Sequence, residues 1–464
     1  MYDLPKVCIQ GLGFVGAAMA TAVANARDST GALIYEVVGI DLGTLEGQRR
    51  VESIRTGKFP FPTSDRLLEE LLAEAVSRGN LTTTTDESVY DSADVVVIDV
   101  ALDISFRDKE PDLDLTVLEH AVRKVARRIP KESLILVETT VPPGTCETVV
   151  APILWEELER RGLPRGSVNL AHSYERVMPG QDYLDSIVRF WRVYAGATPE
   201  AADACETFLA NIIDVDAFPL TRLSSMTASE TAKVMENTYR AANIAFVDEW
   251  TKYAEAVNVD LFEIIDAIRL RPTHSNIRFP GLGVGGYCLT KDPAFTPAAT
   301  RQLLDVPGLE FPFADLTLKV NIAMPLHCAQ RLTGYLGGSC NNKQVLLLGV
   351  SYRQDIGDTR YSPVETLAQA LIKGGATVSA FDPFVTYWAE MEWSLPEHLP
   401  DAEVFDAVVV TTPHRQFQKL DLLSWLGNAR PVVLDAVNAL SQSQRDQFRS
   451  AGVKVESIGR GDGL

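Results

Sequence analysis

"KVCIQGLGFVG", residues 6–16, is the stretch that decides the fold. A β-prone apolar run stops at Gly11, and Gly11, Gly13 and Gly16 form GxGxxG at the head of an apolar helical stretch reaching to about Arg27. The first glycine permits the tight turn, the second lets a pyrophosphate approach the backbone, and the third lets the helix pack on the strand. The next run, YEVVGID, ends at Asp41, 25 residues after Gly16. A carboxylate there accepts hydrogen bonds from a ribose diol and repels a 2′-phosphate, so the pattern predicts NAD over NADP, with Arg49 and Arg50 speaking against it. Gly11, Gly13, Phe14, Val15, Gly16 and Asp41 are the expected cofactor contacts.

Working outward, apolar runs at ADVVVIDV (93–100), SLILVETT (133–140) and RVYAG (192–196) alternate with helical patterns such as DLTVLEHAVRKVARRI (114–129). That alternation predicts a parallel, doubly wound sheet. From about residue 218 the text becomes one long helical pattern, SSMTASETAKVMENTYRAANIAFVDEWTKYAEAV, without Gly or Pro. Its length predicts a spine that joins domains or packs a dimer. A second alternation opens at KQVLLLGVS (343–351) and continues through ATVSAFDP, DAVVVTTPH and RPVVLDAVN. It mirrors the first, with Asp382 ending its second strand, but its first turn, GVSYRQDIGDTR, lacks GxGxxG and predicts a ligand other than a dinucleotide. The expected fold class is α/β: two Rossmann-like domains, 1–217 and 331–464, joined by a helical middle domain, 218–330, that holds the long helix and a cysteine loop.

The whole composition agrees. Hydrophobic residues make 46 % and charged residues 23 % of the 464, as in an ordinary globular protein. With 43 basic against 62 acidic residues the net charge is −19, and no dense Lys/Arg run is present, which makes nucleic acid and anionic membrane poor partners. No segment approaches the ~18 apolar residues of a membrane span, and the N-terminus has no signal-peptide pattern. The six cysteines are scattered without CxxC spacing, so neither a disulfide framework nor a zinc site is signalled, and a reducing cytoplasm is expected.

One cysteine stands apart. Cys8, Cys205 and Cys328 lie in apolar patterns and read as small buried hydrophobes. Cys288 lies in FPGLGVGGYCLTKDP (279–293), where Gly281, Gly283, Gly285 and Gly286 allow positive φ and close approach of a ligand, Lys291 can stabilise a thiolate, and Asp292 can orient a water or a lysine. The same text also describes an ordinary glycine-rich connection. Lys233 and Asn237 are four apart on the long helix and share a face. The ordinary fate of such a pair is a solvated surface, and sequence alone favours that fate.

The glycine fingerprint, ETTVPPGT (138–145), HSYERVMPG (172–180), TAKVMENTYRAANIAFVDE (231–249), GVGGYCLTKDP (283–293) and GDTRYSP (357–363) together resemble the UDP-glucose/GDP-mannose dehydrogenase family of nucleotide-sugar 6-dehydrogenases, over nearly the whole chain. The resemblance implies an N-terminal NAD domain, a C-terminal domain for the nucleotide of a UDP-sugar, a dimer built on the long helix, and a four-electron oxidation of the sugar C6 alcohol to a carboxylate. It implies Cys288 as nucleophile, Lys233 and Asn237 as the polar helix pair, Asp292 as the aspartate that works with lysine and water, and Thr140 and Glu175 as further active-site positions. Thr140 is also an expected cofactor contact. Arg360 aligns with a family arginine near the sugar nucleotide. Arg176, Val177, Arg278 and Gly285 complete the expected substrate contacts. A thiolate is what such chemistry needs, because an aldehyde has no second hydride to give until something adds to its carbonyl.

Pro179, where some UDP-glucose members carry a second glutamate, and PGLGVGG resemble the members acting on N-acetylated sugars, of the UDP-N-acetylmannosamine type. Tyr287 stands where those members often have histidine, GGYC followed by KD also occurs in UDP-glucose dehydrogenases, and RYSP replaces the commoner RESP. The expected substrate is a UDP-N-acetylhexosamine, UDP-ManNAc or UDP-GlcNAc, destined for an acidic polysaccharide, with UDP-glucose as the alternative. A hydroxyacid or phosphogluconate dehydrogenase would need neither the cysteine nor the second α/β domain. A non-catalytic nucleotide-sugar-binding homologue would lack one of Cys288, Lys233, Asn237 and Asp292, and all four are present.

Overall fold

The β-branched runs form strands buried on both faces, which is why they read as continuous apolar text and not as alternation. In β1 (Lys6–Gln10), Val7 and Ile9 enter one core and Cys8 the core on the opposite face. Each such burial stabilises by about 1.5–3 kcal/mol. The computed structural model describes residues 4–107, 110–177, 180–306 and 308–463, and Pro179 lies outside them. The chain packs as two compact units, Met1–Glu236 with Ala294–Glu310, and Asn237–Pro293 with Phe311–Leu464.

The first unit adds β2 (Glu36–Ile40), β3 (Leu81–Thr84), β4 (Val95–Ile98), β5 (Ile104–Arg107), β6 (Glu110–Leu113), β7 (Leu134–Val137), β8 (Asn169–Tyr174), β9 (Val193–Gly196) and β10 (Thr221–Arg222). Eight of these strands form one sheet in the order β10-β9-β8-β7-β4-β1-β2-β3. Every neighbour pair is parallel except β8 with β9, which run antiparallel. The β5–β6 hairpin stands outside the sheet. The first helix is Phe14–Ala24, ending before Arg27 because Asn25 caps it and donates its side-chain amide to the Thr21 carbonyl.

The second unit holds β11 (Gln344–Leu348), β12 (Thr377–Phe381), the short ribbon of β13 (Tyr387–Trp388) and β14 (Trp393–Ser394), β15 (Ala407–Val410), β16 (Val432–Asp435) and β17 (Val455–Ser457). Its sheet order is β12-β11-β15-β16-β17, parallel throughout. The long helix is Met226–Ala256, and the division between the units falls inside it. A second long helix, Pro312–Tyr335, carries Pro325 in its interior. No helix of the described residues is long and apolar enough to cross a membrane.

Candidate active site

In the first unit the three fingerprint glycines answer three different constraints. Gly11 has φ +95°, and a Cβ there would lie 2.1 Å from the Asp99 carbonyl oxygen. A Cβ on Gly16 would lie 1.9 Å from the Gly11 oxygen, so helix and turn touch. A Cβ on Gly13 would meet nothing within 4 Å, which leaves open space in front of a helix N-terminus with no side-chain cap. Such a terminus is suited to a pyrophosphate. Phe14 and Val15 open that helix, both half-buried. Asp41 follows β2 and accepts from the Leu12 and Leu42 amides at 3.2 and 2.7 Å. Arg50 is drawn onto Asp41 and Glu46, so the nearby cation is already engaged by carboxylates. These residues fit NAD.

Beside this cradle, the ends of three strands bury charge that the sequence reading passed over. Glu138, after β7, is ion-paired with Arg192, before β9, and both are buried. Asp99, after β4, is half-buried; burial, followed by the neighbouring Glu138 charge, pushes its carboxyl well above the ordinary range. The signal available was an Asp or Glu ending each apolar run, which also describes a surface turn. Thr139 ties β4 to β7 through Ile98 and Val100, and Thr140 follows it, half-buried.

Glu175 follows β8 and meets the long helix. Lys233 Nζ donates to the Glu175 carbonyl at 2.7 Å and lies 3.3 Å from its Oε1. The Val177 amide donates to Glu175 Oε2. Arg176 is committed to Glu236 at 3.0 Å and to the Trp191 carbonyl. His172 is buried against Ser229, and burial, helped by the Lys233 charge, pushes its imidazole down to about 3. One turn earlier on the helix, Glu230 accepts from the amides of Gly144 and Cys146 and so fastens the ETTVPPGT turn.

In the second unit, the cysteine loop is pressed against protein. A Cβ on Gly283 would lie 2.8 Å from the Asn321 carbonyl oxygen, one on Gly285 2.6 Å from Tyr352 Cβ, and one on Gly286 2.6 Å from the Tyr352 ring. Three of the four glycines thus make room for Tyr352 and for the Pro312–Tyr335 helix, and a Cβ on Gly281 would meet nothing within 4 Å. Cys288 is exposed, and its carbonyl accepts from the Asp292 amide at 2.9 Å. Asp292 is fully buried, held by Lys291 Nζ at 2.8 Å and by Asn237 Nδ2 at 2.7 Å. A buried carboxylate is tolerated when a cation and a donor satisfy it in this way. Lys291 Nζ and the Arg360 guanidinium lie 4.6 and 5.6 Å from the Tyr287 ring centre, and Tyr361 is 6.2 Å from it. Arg360 forks onto Asp358 at 2.9 and 2.7 Å. Arg278 is exposed, its amide donating to Asn243.

Lys233 and Asn237, which sequence alone assigned to a solvated surface, are both buried. Cys8, Cys205 and Cys328 are buried as expected.

The UDP-glucose/GDP-mannose dehydrogenase family models match in three segments: the NAD binding domain at residues 5–212, the central domain at 227–322 and the UDP binding domain at 346–442. The UDP-N-acetyl-D-mannosamine dehydrogenase of Methanocaldococcus jannaschii is 27 % identical, over 98 % of this chain and 97 % of its own. The enzyme of the same name from Pyrococcus horikoshii is 30 % identical, over 98 % of this chain and 100 % of its own. Among solved structures, a UDP-glucose dehydrogenase from Pyrobaculum islandicum superposes with a TM-score of 0.80 at 25 % identity, covering 99 % of this chain and 98 % of that one.

Proposed function

Since the chain belongs to the UDP-glucose/GDP-mannose dehydrogenase family and is an NAD-dependent nucleotide-sugar dehydrogenase, we propose that it oxidises the C6 alcohol of a UDP-N-acetylhexosamine to the carboxylate. The named relatives make UDP-N-acetyl-D-mannosamine the first substrate to try. The observation that carries the acid-forming chemistry is the exposed Cys288 thiol just ahead of the buried Lys291, Asp292 and Asn237 group.

NAD, when bound, would supply the hydride acceptor for each of the two oxidations. Gly11, Gly13, Phe14, Val15, Gly16, Asp41 and Thr140 would hold it. In this reading Asp292, through a water, receives the proton of the C6 hydroxyl, and Lys233 and Asn237 stabilise the developing oxyanion. Cys288 Sγ then adds to C6 of the aldehyde, giving a thiohemiacetal whose C6 hydrogen can leave as hydride. The resulting thioester is cleaved by water: a C–O bond forms, the C6–S bond breaks, and the thiol and the carboxylate are released. Lys291 favours the thiolate. Glu175, Arg176, Val177, Gly285, Arg278 and Arg360 orient the nucleotide sugar. The functional divisions 1–217, 218–330 and 331–464 belong to the same proposal, as does a cytoplasmic location and a role in making an acidic polysaccharide.

A UDP-glucose substrate is the second reading, favoured by Tyr287 in GGYC and by the likeness to the Pyrobaculum enzyme. The test is NADH formed per sugar consumed with UDP-N-acetylmannosamine, UDP-N-acetylglucosamine and UDP-glucose, with Cys288→Ser beside wild type. Two NADH per sugar, and no acid from the variant, is the expected result. One NADH per sugar, unchanged in the variant, would rule the thioester route out.

We also propose that the protein is a homodimer through the long helix. Tyr239, Phe246, Trp250 and Tyr253 leave a large apolar stripe exposed along one side of it, continued by Val257 just past its end.

A further inference from the structure

The two α/β units place a carboxylate at the same point, directly after their second strands, and use it differently. Asp41 accepts two backbone amides and one arginine. Asp382 is buried, and five donors converge on it: Oδ2 accepts from the Val350 amide at 2.7 Å, the Ser351 amide at 3.1 Å, Ser351 Oγ at 3.0 Å and His414 Nε2 at 3.1 Å, while Oδ1 accepts from the Phe384 amide at 2.9 Å. Four of the five donors meet Oδ2, and the side chain has no exposed surface, so it is spent on holding the loops around it. Gly349, which ends the first strand as Gly11 does, has φ +100°, and a Cβ there would lie 2.4 Å from Thr412, just as one on Gly11 would meet Asp99.

His414 is the centre of the cluster around Asp382. It is fully enclosed, between the rings of Phe384 and Phe417. Its Nδ1 accepts the Asp355 amide at 2.9 Å, which puts the ring proton on Nε2, facing Asp382. Asp355 sits at φ +57°, in the left-handed region that aspartate tolerates better than most residues, and its carboxylate is held by the amide and guanidinium of Arg415. Thr412 Oγ1 fixes the loop further by donating to the Ser351 carbonyl at 2.7 Å. The same loop carries Tyr352, whose ring lies on Gly286 two residues before Cys288, and Arg360, whose guanidinium lies over Tyr287.

We propose that His414 is a positioning residue for the nucleotide sugar: by joining Asp382 to the Asp355 amide it sets the 350–361 loop that presents Tyr352 and Arg360 beside the cysteine loop. This rests on the reading that the second unit receives a UDP-sugar. His414→Ala removes an acceptor from a buried amide and a donor from a buried carboxylate, a loss expected to weaken ligand binding by about tenfold or more. His414→Asn restores the acceptor toward Asp355.

The test is calorimetric binding of UDP and of NAD to the full chain, with deuterium exchange of residues 350–361 without ligand. In His414→Ala, UDP affinity should fall at least about tenfold and exchange of 350–361 should speed up, with NAD affinity within about twofold of wild type. His414→Asn should recover most of the loss. If His414→Ala does not fold, His414→Gln, whose amide reaches as far as Nε2 but which has a methylene carbon and no acceptor at the position of Nδ1, decides on the same two readouts. UDP affinity unchanged in the variant, or lost in equal measure with NAD affinity, overturns the proposal alone. Wild-type protein that does not bind UDP overturns the substrate reading beneath it.

Discussion

Asp248 is a buried acid on the long helix whose Oδ2 has no hydrogen-bond partner among the described residues. Burial pushes its carboxyl well above the ordinary value, against the weaker pull of Lys252. Because the folded-state pKa lies above the unfolded one, the group costs nothing below about pH 4, and its penalty grows as pH rises toward the folded value. Asp248→Asn should therefore raise Tm at pH 7, by a stability gain on the order of 1 kcal/mol, and show no gain near pH 4. Thermal melts at the two pH values check this, and identical melts at pH 7 would refute it. Single residues were also where the sequence misled. The spacing of Lys233 and Asn237 was legible, but their burial was not, because Glu175 and Asp292, which meet them, lie 58 and 55 positions away in the chain. An i, i+4 pattern describes a helix face and carries no information on what covers it.

Elements were more legible than their ends. The fingerprint, the apolar runs and the long helix follow from local periodicity, whereas β3, β8 and the β5–β6 hairpin are short, partly polar segments whose strand form comes from pairing partners. The Pro312–Tyr335 helix escaped notice because Pro325 reads as a stop. That proline has a consequence next door. It supplies no N–H to the Asn321 carbonyl four residues earlier, and this is the carbonyl that Gly283 passes. Gly286 is held as tightly, at φ +84° against the Tyr352 ring. Gly286→Ala combines an unfavourable φ with a collision, so kcat/KM for the nucleotide sugar should drop by about tenfold or more while the protein stays folded. Steady-state kinetics beside circular dichroism would measure this, and unchanged kcat/KM would show that the loop tolerates displacement.

At the scale of the molecule, the exposed aromatic stripe of the long helix is the feature that a solitary chain explains least. Phe246, Trp250 and Tyr253 already touch one another, with ring centres 6.2 and 5.6 Å apart. Burying them against a second copy removes apolar area from water at about 25 cal/mol per Å². Light scattering should give twice the chain mass for wild type, and Trp250→Glu with Tyr253→Glu should shift it toward the single chain; a monomeric wild type would refute the dimer. The division of the chain carries a different consequence. The first unit is discontinuous: its helix Phe295–Gln302 buries Phe295 in the core against strands made far earlier, and Gln302 pairs with Asp112 and Leu113. During synthesis the nascent NAD-binding half must wait for residues beyond Gln302 to leave the ribosome before that core can close. By then Asn237–Pro293 is already outside the tunnel, so the order of translation obliges the cysteine loop to emerge before the first unit is complete.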